Sequence, residues 1–372
     1  MKLLIVGAGF SGATIAQQLA ASGQHTVDII DTRSHIAGNA HDPVSEVSGA
    51  RYHQYGPHIF HTNSREIVDY LSQFTDWLPY RHRVQALLPS GELAPMPLNR
   101  TTLSALYGRS LESEADVREL LAGLRVAIAK PGNALEHLYS IYGPELTELF
   151  FGRYTRKMWA LELSNMPISV VARIPVRYDD DPHYFNDEFQ MMPKEGYTAL
   201  VECMLEHPAI SVRLNTAFDK AMEADYDFVF NSMPIDEYFD NIFGPLPYRS
   251  IRFEHRYNEA FDANVPTVNF TDDGPHTRKT SWALYPACGG APGEHVTYEI
   301  PCSYEDNNME RYYPVKTVDG WPQQRYKQYE ALARQKDNMM FIGRCGQYVY
   351  YDIHQAVANS LMLARRFLDQ HP

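Results

Sequence analysis

The sequence predicts an α/β protein in which a parallel-sheet domain is discontinuous, split around a helical insertion and an antiparallel β-sheet domain. Three observations carry this reading. The chain opens on an apolar run, a glycine turn and a helical pattern; it closes on a second apolar run and an amphipathic helix; and the long centre between them is rich in Tyr, Phe, Val and Thr, with frequent Pro and Gly. A chain of 372 residues with 44% hydrophobic content has material for a sizeable core and for two or three domains.

Leu3-Leu4-Ile5-Val6 reads as a buried strand, and Ile15 and Leu19, four apart among small alanines, read as a helix that stops at Gly23. Val27-Asp28-Ile29-Ile30-Asp31 makes the next strand. Ser64 is placed to cap a helix with Ile67, Val68, Leu71 and Phe74 on one face. Two helical patterns come next, Val117/Leu120/Leu121/Leu124 and Leu135/Leu138/Ile141, broken by Pro131-Gly132 and Gly143-Pro144. Residues 79–94 and 174–314 favour strands in an antiparallel sheet. Met339-Met340-Phe341-Ile342-Gly343 reads as a buried strand, and residues 354–367 as the closing helix. The expected domains are therefore residues 1–75, 196–236 and 330–372 for the parallel sheet, 98–153 for the helices, and 76–97, 154–195 and 237–329 for the antiparallel sheet.

A net charge of −13 argues against nucleic acid or an anionic membrane as partner. No run approaches the roughly 18 apolar residues of a membrane helix, and no signal-peptide pattern precedes the first strand, so a cytoplasmic protein without membrane insertion is expected. Cys203, Cys288, Cys302 and Cys345 lack CxxC spacing, which suggests neither zinc nor disulfides. Between residues 151 and 177 stand five basic side chains, Arg153, Arg156, Lys157, Arg173 and Arg177, against the single acid Glu162. That cluster suits an anionic substrate or a solvated charged face equally.

Gly7-Ala8-Gly9-Phe10-Ser11-Gly12 comes directly after a strand and opens a helix, and Asp31 lies nineteen residues beyond Gly12 at the end of the next strand. This spacing predicts a Rossmann-like dinucleotide site: the glycines let the backbone approach a pyrophosphate at the helix N-terminus, and Asp31 accepts a ribose hydroxyl. Thr32, Arg33, Gly38 and Asn39 extend the site. The run from Arg33 through His35, Ile36, Ala37 and Gly38 to Asn39 resembles the stretch after the acidic residue in FAD-binding flavoproteins, with Ala37 where a glycine is common. Tyr55-Gly56-Pro57-His58-Ile59-Phe60-His61-Thr62-Asn63 carries two histidines three apart. Without a further ligand at metal spacing, no metal is expected. A satisfied structural histidine and a flavin-facing one suit this string equally; the second, assigned to His58 beside Ile59, would act as a donor that polarises the ring.

The same string, with Tyr154-Thr155, Trp159, Arg173-Ile174-Pro175-Val176-Arg177, Tyr184-Phe185, Gly196-Tyr197-Thr198, Asn269-Phe270-Thr271-Asp272, Thr277-Arg278, Tyr312-Tyr313-Pro314, Gly343-Arg344 and Tyr350-Tyr351-Asp352-Ile353-His354-Gln355, resembles the bacterial UDP-galactopyranose mutases nearly end to end. The resemblance implies an isomerase in which N5 of reduced FAD attacks the sugar anomeric carbon while UDP leaves and returns, with no net redox change. An external reductant such as NADPH would keep the flavin reduced, and a homodimer is expected. Arg173, on a loop between Trp159 and Tyr184, and Arg278 would clamp the diphosphate, because paired guanidinium groups meet the charge that develops on a leaving phosphate. Tyr184, Tyr313 and Tyr350 would reach the phosphates, with Asp352 and Ile353 beside them near the flavin. Phe150, Phe151, Tyr154, Thr155 and Trp159 would form the uridine and sugar wall. Asn269 would be a substrate amide and Arg344 a flavin-diphosphate contact. His82 stands where this family often has asparagine, which leaves open a mutase acting on UDP-N-acetylgalactosamine or dTDP-fucose. A flavin amine oxidase-like oxidoreductase is the rival reading on the N-terminal fingerprint alone, and a nucleotide-sensing module the third.

Overall fold

The computed structural model describes residues 1–172 and 174–371. Five parallel strands form the first sheet, in the order Met339–Phe341, Phe228–Asn231, Lys2–Val6, Thr26–Ile30, Ile210–Arg213. Beginning, middle and end of the chain each contribute a strand, as the split parallel-sheet domain requires. Such a sheet is buried on both faces, which is why Leu3, Leu4, Ile5, Ile29 and Phe230 are all inaccessible to solvent. The helices Phe10–Ala21, Gly196–Leu205 and Ile353–Gln370 cover one face through Ile15, Leu19, Tyr197, Leu361 and Phe367. Strand order reverses at Lys2–Val6: the chain first adds Thr26–Ile30 on one side and later Phe228–Asn231 on the other, so a crevice opens above its C-terminal end.

The second sheet has seven strands in the order Tyr313–Pro314, Tyr248–Tyr257, His295–Ser303, Arg278–Ser281, Thr267–Phe270, Val84–Leu87, Leu93–Met96. It is antiparallel except where Val84–Leu87 pairs parallel with Thr267–Phe270. A parallel neighbour needs a long crossover, and the helical insertion and much of the chain lie between those two strands. A third sheet, not anticipated from the sequence, joins Phe60–Thr62 and Trp77–Pro79 to Phe189–Pro193.

The insertion contains Arg100–Tyr107, Glu114–Leu124, Ala134–Thr147 and Arg153–Trp159. Asn99 and Asn133 accept N-terminal amides of the first and third of these, and Ser113 with Asp116 forms a capping box at the second. Gly143, at φ 77°, breaks the third helix just before Pro144, where the sequence placed the break. The apolar cluster of this layer continues past residue 153 to Leu163, Met166 and Val171.

Candidate active site

The crevice above Lys2–Val6 continues into a cavity of about 850 Å³ between the parallel sheet, the seven-stranded sheet and the end of the helical insertion. At its floor the glycine loop is closed by backbone contact. A Cβ on Gly12 would sit 2.0 Å from the Gly7 carbonyl, and one on Gly7, at φ 104°, would sit 2.0 Å from Ser232 Oγ. Gly9 and Gly38 face each other so closely that a Cβ on Gly38 would lie 3.0 Å from Gly9 Cα. Ala37 adopts φ 69°, the left-handed conformation a glycine would favour, and its N–H donates to the Ala8 carbonyl at 2.9 Å. The helix Phe10–Ala21 starts at Gly9 without a side-chain cap and without an acid in its first turn. Its free amides therefore face the crevice as a seat for a pyrophosphate.

Asp31 uses one oxygen for the Ala8 amide at 2.8 Å and the other for the Arg33 amide at 2.9 Å, which fixes the carboxylate at the strand end with lone pairs remaining. Arg33 lies over the Tyr55 ring and donates to Asn39 Oδ1 at 2.8 Å and to Glu310 Oε2 at 2.5 Å. Arg344 is anchored by the carbonyls of Tyr312 and Tyr351, each at 2.9 Å, and lies over the Tyr350 ring. Every residue expected to hold the dinucleotide lines this cavity: Gly7, Gly9, Phe10, Ser11, Gly12, Asp31, Thr32, Arg33, Gly38, Asn39, His58, Ile59, Arg344, Tyr350, Asp352 and Ile353. The uncapped helix start and the glycine cradle fit an FAD-sized cofactor.

His58 differs from the expectation of a proton donor toward the flavin. Its Nδ1 is 2.8 Å from the Gly56 carbonyl, which can only accept, so Nδ1 carries the hydrogen. Burial and the neighbouring His53 lower its pKa to about 3, so the ring is neutral and Nε2 offers a lone pair. Its own backbone amide donates to His53 Nδ1 at 2.9 Å.

Strand register builds the other half of the cavity. Asn269 is opposite Arg278, and Arg278 is opposite Glu299, so three adjacent strands bring these side chains into one row. Arg278 donates to Tyr154 Oη at 3.3 Å and stands 3.5 Å from Glu299 Oε1. Burial works against its charge, and the Glu299 carboxylate, then the Tyr154 and Tyr313 hydroxyls, outweigh it, so the guanidinium is held charged. Burial pushes the Glu299 carboxyl up, and Arg278 pulls it back in part. Arg278 Nε and Asn269 Oδ1 are buried without a hydrogen-bond partner among the described residues, which is the state of groups awaiting a polar ligand.

Tyr313 stacks on Tyr350 with centroids 5.4 Å apart and meets Trp159 edge-on. Tyr184 packs edge-on against Phe185, and His82 lies against both and stacks on Tyr285. Tyr80 Oη is 3.0 Å from His82 Nδ1; burial, then Arg278 and His61, lower the His82 pKa to about 3. Tyr154, Trp159, Tyr184, Asn269, Arg278, Tyr313, Tyr350, Asp352 and His82 all line the cavity.

Phe150, Phe151 and Thr155 do not reach the lining. Each is buried, and the two phenylalanines belong to the core of the helical layer, where Phe151 stacks on Tyr142. The segment Glu148–Gly152 is a π-turn that sends these rings inward, while the next helix turns Tyr154 and Trp159 to the cavity. Arg173 lies outside the described residues.

Glu299 was not singled out from the sequence. Its signal was an acid in the otherwise apolar and neutral strand His295–Ser303, a position that burial makes costly without a cationic partner. Asp187 and Glu310 also line the cavity, and nothing local to either marks it out.

A family profile described as UDP-galactopyranose mutase matches residues 149–350, and one described as an NAD(P)-binding Rossmann-like domain matches residues 5–74. A probable UDP-galactopyranose mutase of Klebsiella pneumoniae is 34% identical over 369 residues, spanning 99% of this chain and 94% of that protein. A dTDP-fucopyranose mutase of Escherichia coli is also 34% identical, over 99% of this chain and 98% of its own. Among solved structures, a reduced UDP-galactopyranose mutase superposes with a TM-score of 0.77 at 16% identity, covering 99% of this chain and 94% of that one. A putative protoporphyrinogen oxidase from Exiguobacterium sp. 255-15 superposes with a TM-score of 0.67 at 13% identity over 98% of both chains, a likeness of fold alone.

Proposed function

Because this chain belongs to the UDP-galactopyranose mutase family, flavin-dependent enzymes that isomerise sugar nucleotides, we propose that it interconverts UDP-galactopyranose and UDP-galactofuranose. The observation that carries this reading is the junction of two anion seats in one cavity. The uncapped start of Phe10–Ala21 meets a cofactor pyrophosphate, and the row Asn269, Arg278 and Glu299 offers a charged guanidinium with an unpaired Nε to a second diphosphate. FAD, when bound in its reduced form, supplies a nucleophile at N5 for the anomeric carbon.

The residues of this chain then have distinct tasks. The glycine loop, Asp31 and Arg33 would hold the dinucleotide, and Arg344, placed against the Tyr350 ring, would meet its diphosphate. Arg278 stabilises the negative charge that grows on the departing UDP, and Tyr154, fixed by its hydrogen bond to Arg278, orients that guanidinium. On the resemblance, Arg173 supplies the second guanidinium. Tyr184, Tyr313 and Tyr350 give the phosphates hydroxyl donors, and Trp159 walls the base and sugar. Neutral His58 gives the flavin edge an acceptor. Phe150, Phe151 and Thr155 support that wall from behind. The same resemblance leads us to expect a cytoplasmic homodimer.

A second substrate has one specific observation in its favour: the dTDP-fucopyranose mutase is as similar as the Klebsiella protein. Dithionite-reduced enzyme incubated separately with UDP-galactopyranose, UDP-N-acetylgalactosamine and dTDP-fucopyranose, and analysed by chromatography, decides between them. The reading predicts the highest kcat/KM on UDP-galactopyranose. A tenfold preference for dTDP-fucopyranose would transfer the assignment to that sugar.

A further inference from the structure

His61 lines the cavity but takes no part in the tasks above. Its strand pairs with Phe189–Pro193, opposite Gln190, and that pairing brings the preceding turn over its ring. The imidazole lies flat on Phe185, with centroids 3.7 Å apart and planes 13° from parallel. Its Nδ1 is 2.8 Å from Asp187 Oδ2, and Asp187 Oδ1 accepts from the Asn63 amide at 2.9 Å. Asn63 is held in turn by the Glu188 backbone N–H at 2.8 Å. A carboxylate only accepts, so Nδ1 donates and the neutral ring carries its lone pair on Nε2.

That nitrogen is 4.0 Å from Asp352 Oδ2. Asp352 is fixed as the N-cap of Ile353–Gln370 by a capping box with Gln355. At this separation the two acceptors do not bond each other, so Nε2 of the neutral ring is left to accept from a hydroxyl on the cavity side. In the protonated ring, Nε2–H faces the Asp352 carboxylate instead. The protonated ring thus has a counter-charge on the cavity wall, and the neutral ring an acceptor open to the cavity.

We propose that Asp187 is a positioning residue that holds His61 so that Nε2 exchanges a proton with the sugar oxygens. The proposal rests on the mutase reading, since a change of ring size moves one hydrogen between two sugar oxygens. On opening, the bond from the anomeric carbon to the old ring oxygen breaks with its electron pair going to oxygen, which takes a proton from protonated His61; the flavin nitrogen held on that carbon would supply the electron pair the carbon loses. On closure, the second hydroxyl returns a proton to Nε2 as its lone pair forms the new bond to the anomeric carbon, and the pair lent on opening would return to the flavin nitrogen. His61 ends as it began, and no oxidant or reductant is consumed.

The test uses flavin-loaded enzyme labelled with 15N-histidine, the His61 signals being identified by their loss in His61→Gln. At a pH where the ring is neutral, wild type shows the Nδ1–H form alone, and Asp187→Asn shows a mixture, because its amide both donates and accepts. In the reduced enzyme, Asp187→Asn lowers kcat about 100-fold, KM stays within about threefold, and Asp187→Glu restores most of the loss. The Asp187 side chain is 22% exposed, so neither substitution opens the core. Wild-type kcat in Asp187→Asn overturns the proposal, as does a loss of kcat with the His61 ring form unchanged. Absence of turnover by wild type on every sugar nucleotide removes the mutase reading and this proposal together, and is told apart by the wild-type assay itself.

Discussion

Arg278 keeps its charge inside the protein because the neighbouring strands place a carboxylate and an amide beside it and the helix Arg153–Trp159 adds the Tyr154 phenol. In the proposed reaction its use would be geometric as well as electrostatic, since a planar fork can meet two phosphate oxygens in bidentate fashion where an ammonium is a point charge. Arg278→Ala is expected to lower kcat by about 100- to 1,000-fold, and Arg278→Lys to recover little of it, with the bound-flavin absorption spectrum unchanged in both. Steady-state kinetics alongside that spectrum checks this, and loss of flavin from both variants would move Arg278 to the cofactor side. The arginine itself was legible from its motif. Its partner Glu299 was not, because a 21-residue separation in sequence becomes a cross-strand pair only through register. His58 was legible as a cavity residue but not in its role, since the Gly56 carbonyl that sets its tautomer is a feature of the backbone turn.

At the scale of elements, the stretch from Glu148 to Trp159 separates the rings that support the cavity from those that line it. Phe151 is 3% exposed and stacked on Tyr142, so Phe151→Ala should destabilise the protein by about 3–5 kcal/mol in urea unfolding. Phe151→Leu should leave the sugar-nucleotide KM within about twofold, because a smaller apolar side chain still packs in that core. A KM raised several-fold with unchanged stability would put this ring on the ligand. The sequence string alone could not separate these rings from Tyr154, because the π-turn shifts the helical face by less than a turn. The strand, glycine loop and helix at the N-terminus were legible because all three are contiguous and each has its own residue signal. The three-stranded sheet was hidden by the brevity of Phe60–Thr62 and Trp77–Pro79, and the parallel pairing of Val84–Leu87 by the long crossover before its partner.

For the whole molecule, the buried neutral histidines couple stability to pH. His53 and His82 are 1% and 5% exposed, and burial, with Arg51 acting on the first and Arg278 on the second, lowers each pKa to about 3. The unfolded chain binds these protons near pH 6.5 and the native state does not, so stability is full above about pH 6.5 and is lost as pH falls toward 3. The two together should cost about 3 kcal/mol for each pH unit below 6. Urea midpoints measured from pH 7 to pH 5 check the slope; half of it would mean that one of the rings is charged in the native state, and a flat profile that both are. FAD acts in the other direction: binding only the native protein, at 100 times its Kd it adds about 2.7 kcal/mol. Three separate chain segments are joined under that cofactor, so the thermal midpoint should rise with added FAD as a single transition. No helix among the described residues is long and apolar enough to cross a membrane. The split of the parallel sheet was legible from strand-and-helix patterns at both chain ends, whereas the meeting of the two anion seats in one cavity depends on how the sheets pack.

On the proposed reading this cavity uses a reduced flavin to change the ring size of a sugar held by its diphosphate. The most direct measurement of this is chromatography of UDP-galactopyranose after incubation with oxidised and with dithionite-reduced enzyme, each loaded with FAD. UDP-galactofuranose from the reduced enzyme only, with UDP-sugar recovered in full, is the predicted result. Equal product from the oxidised enzyme, or none from the reduced enzyme with this and every other sugar nucleotide, would contradict the account.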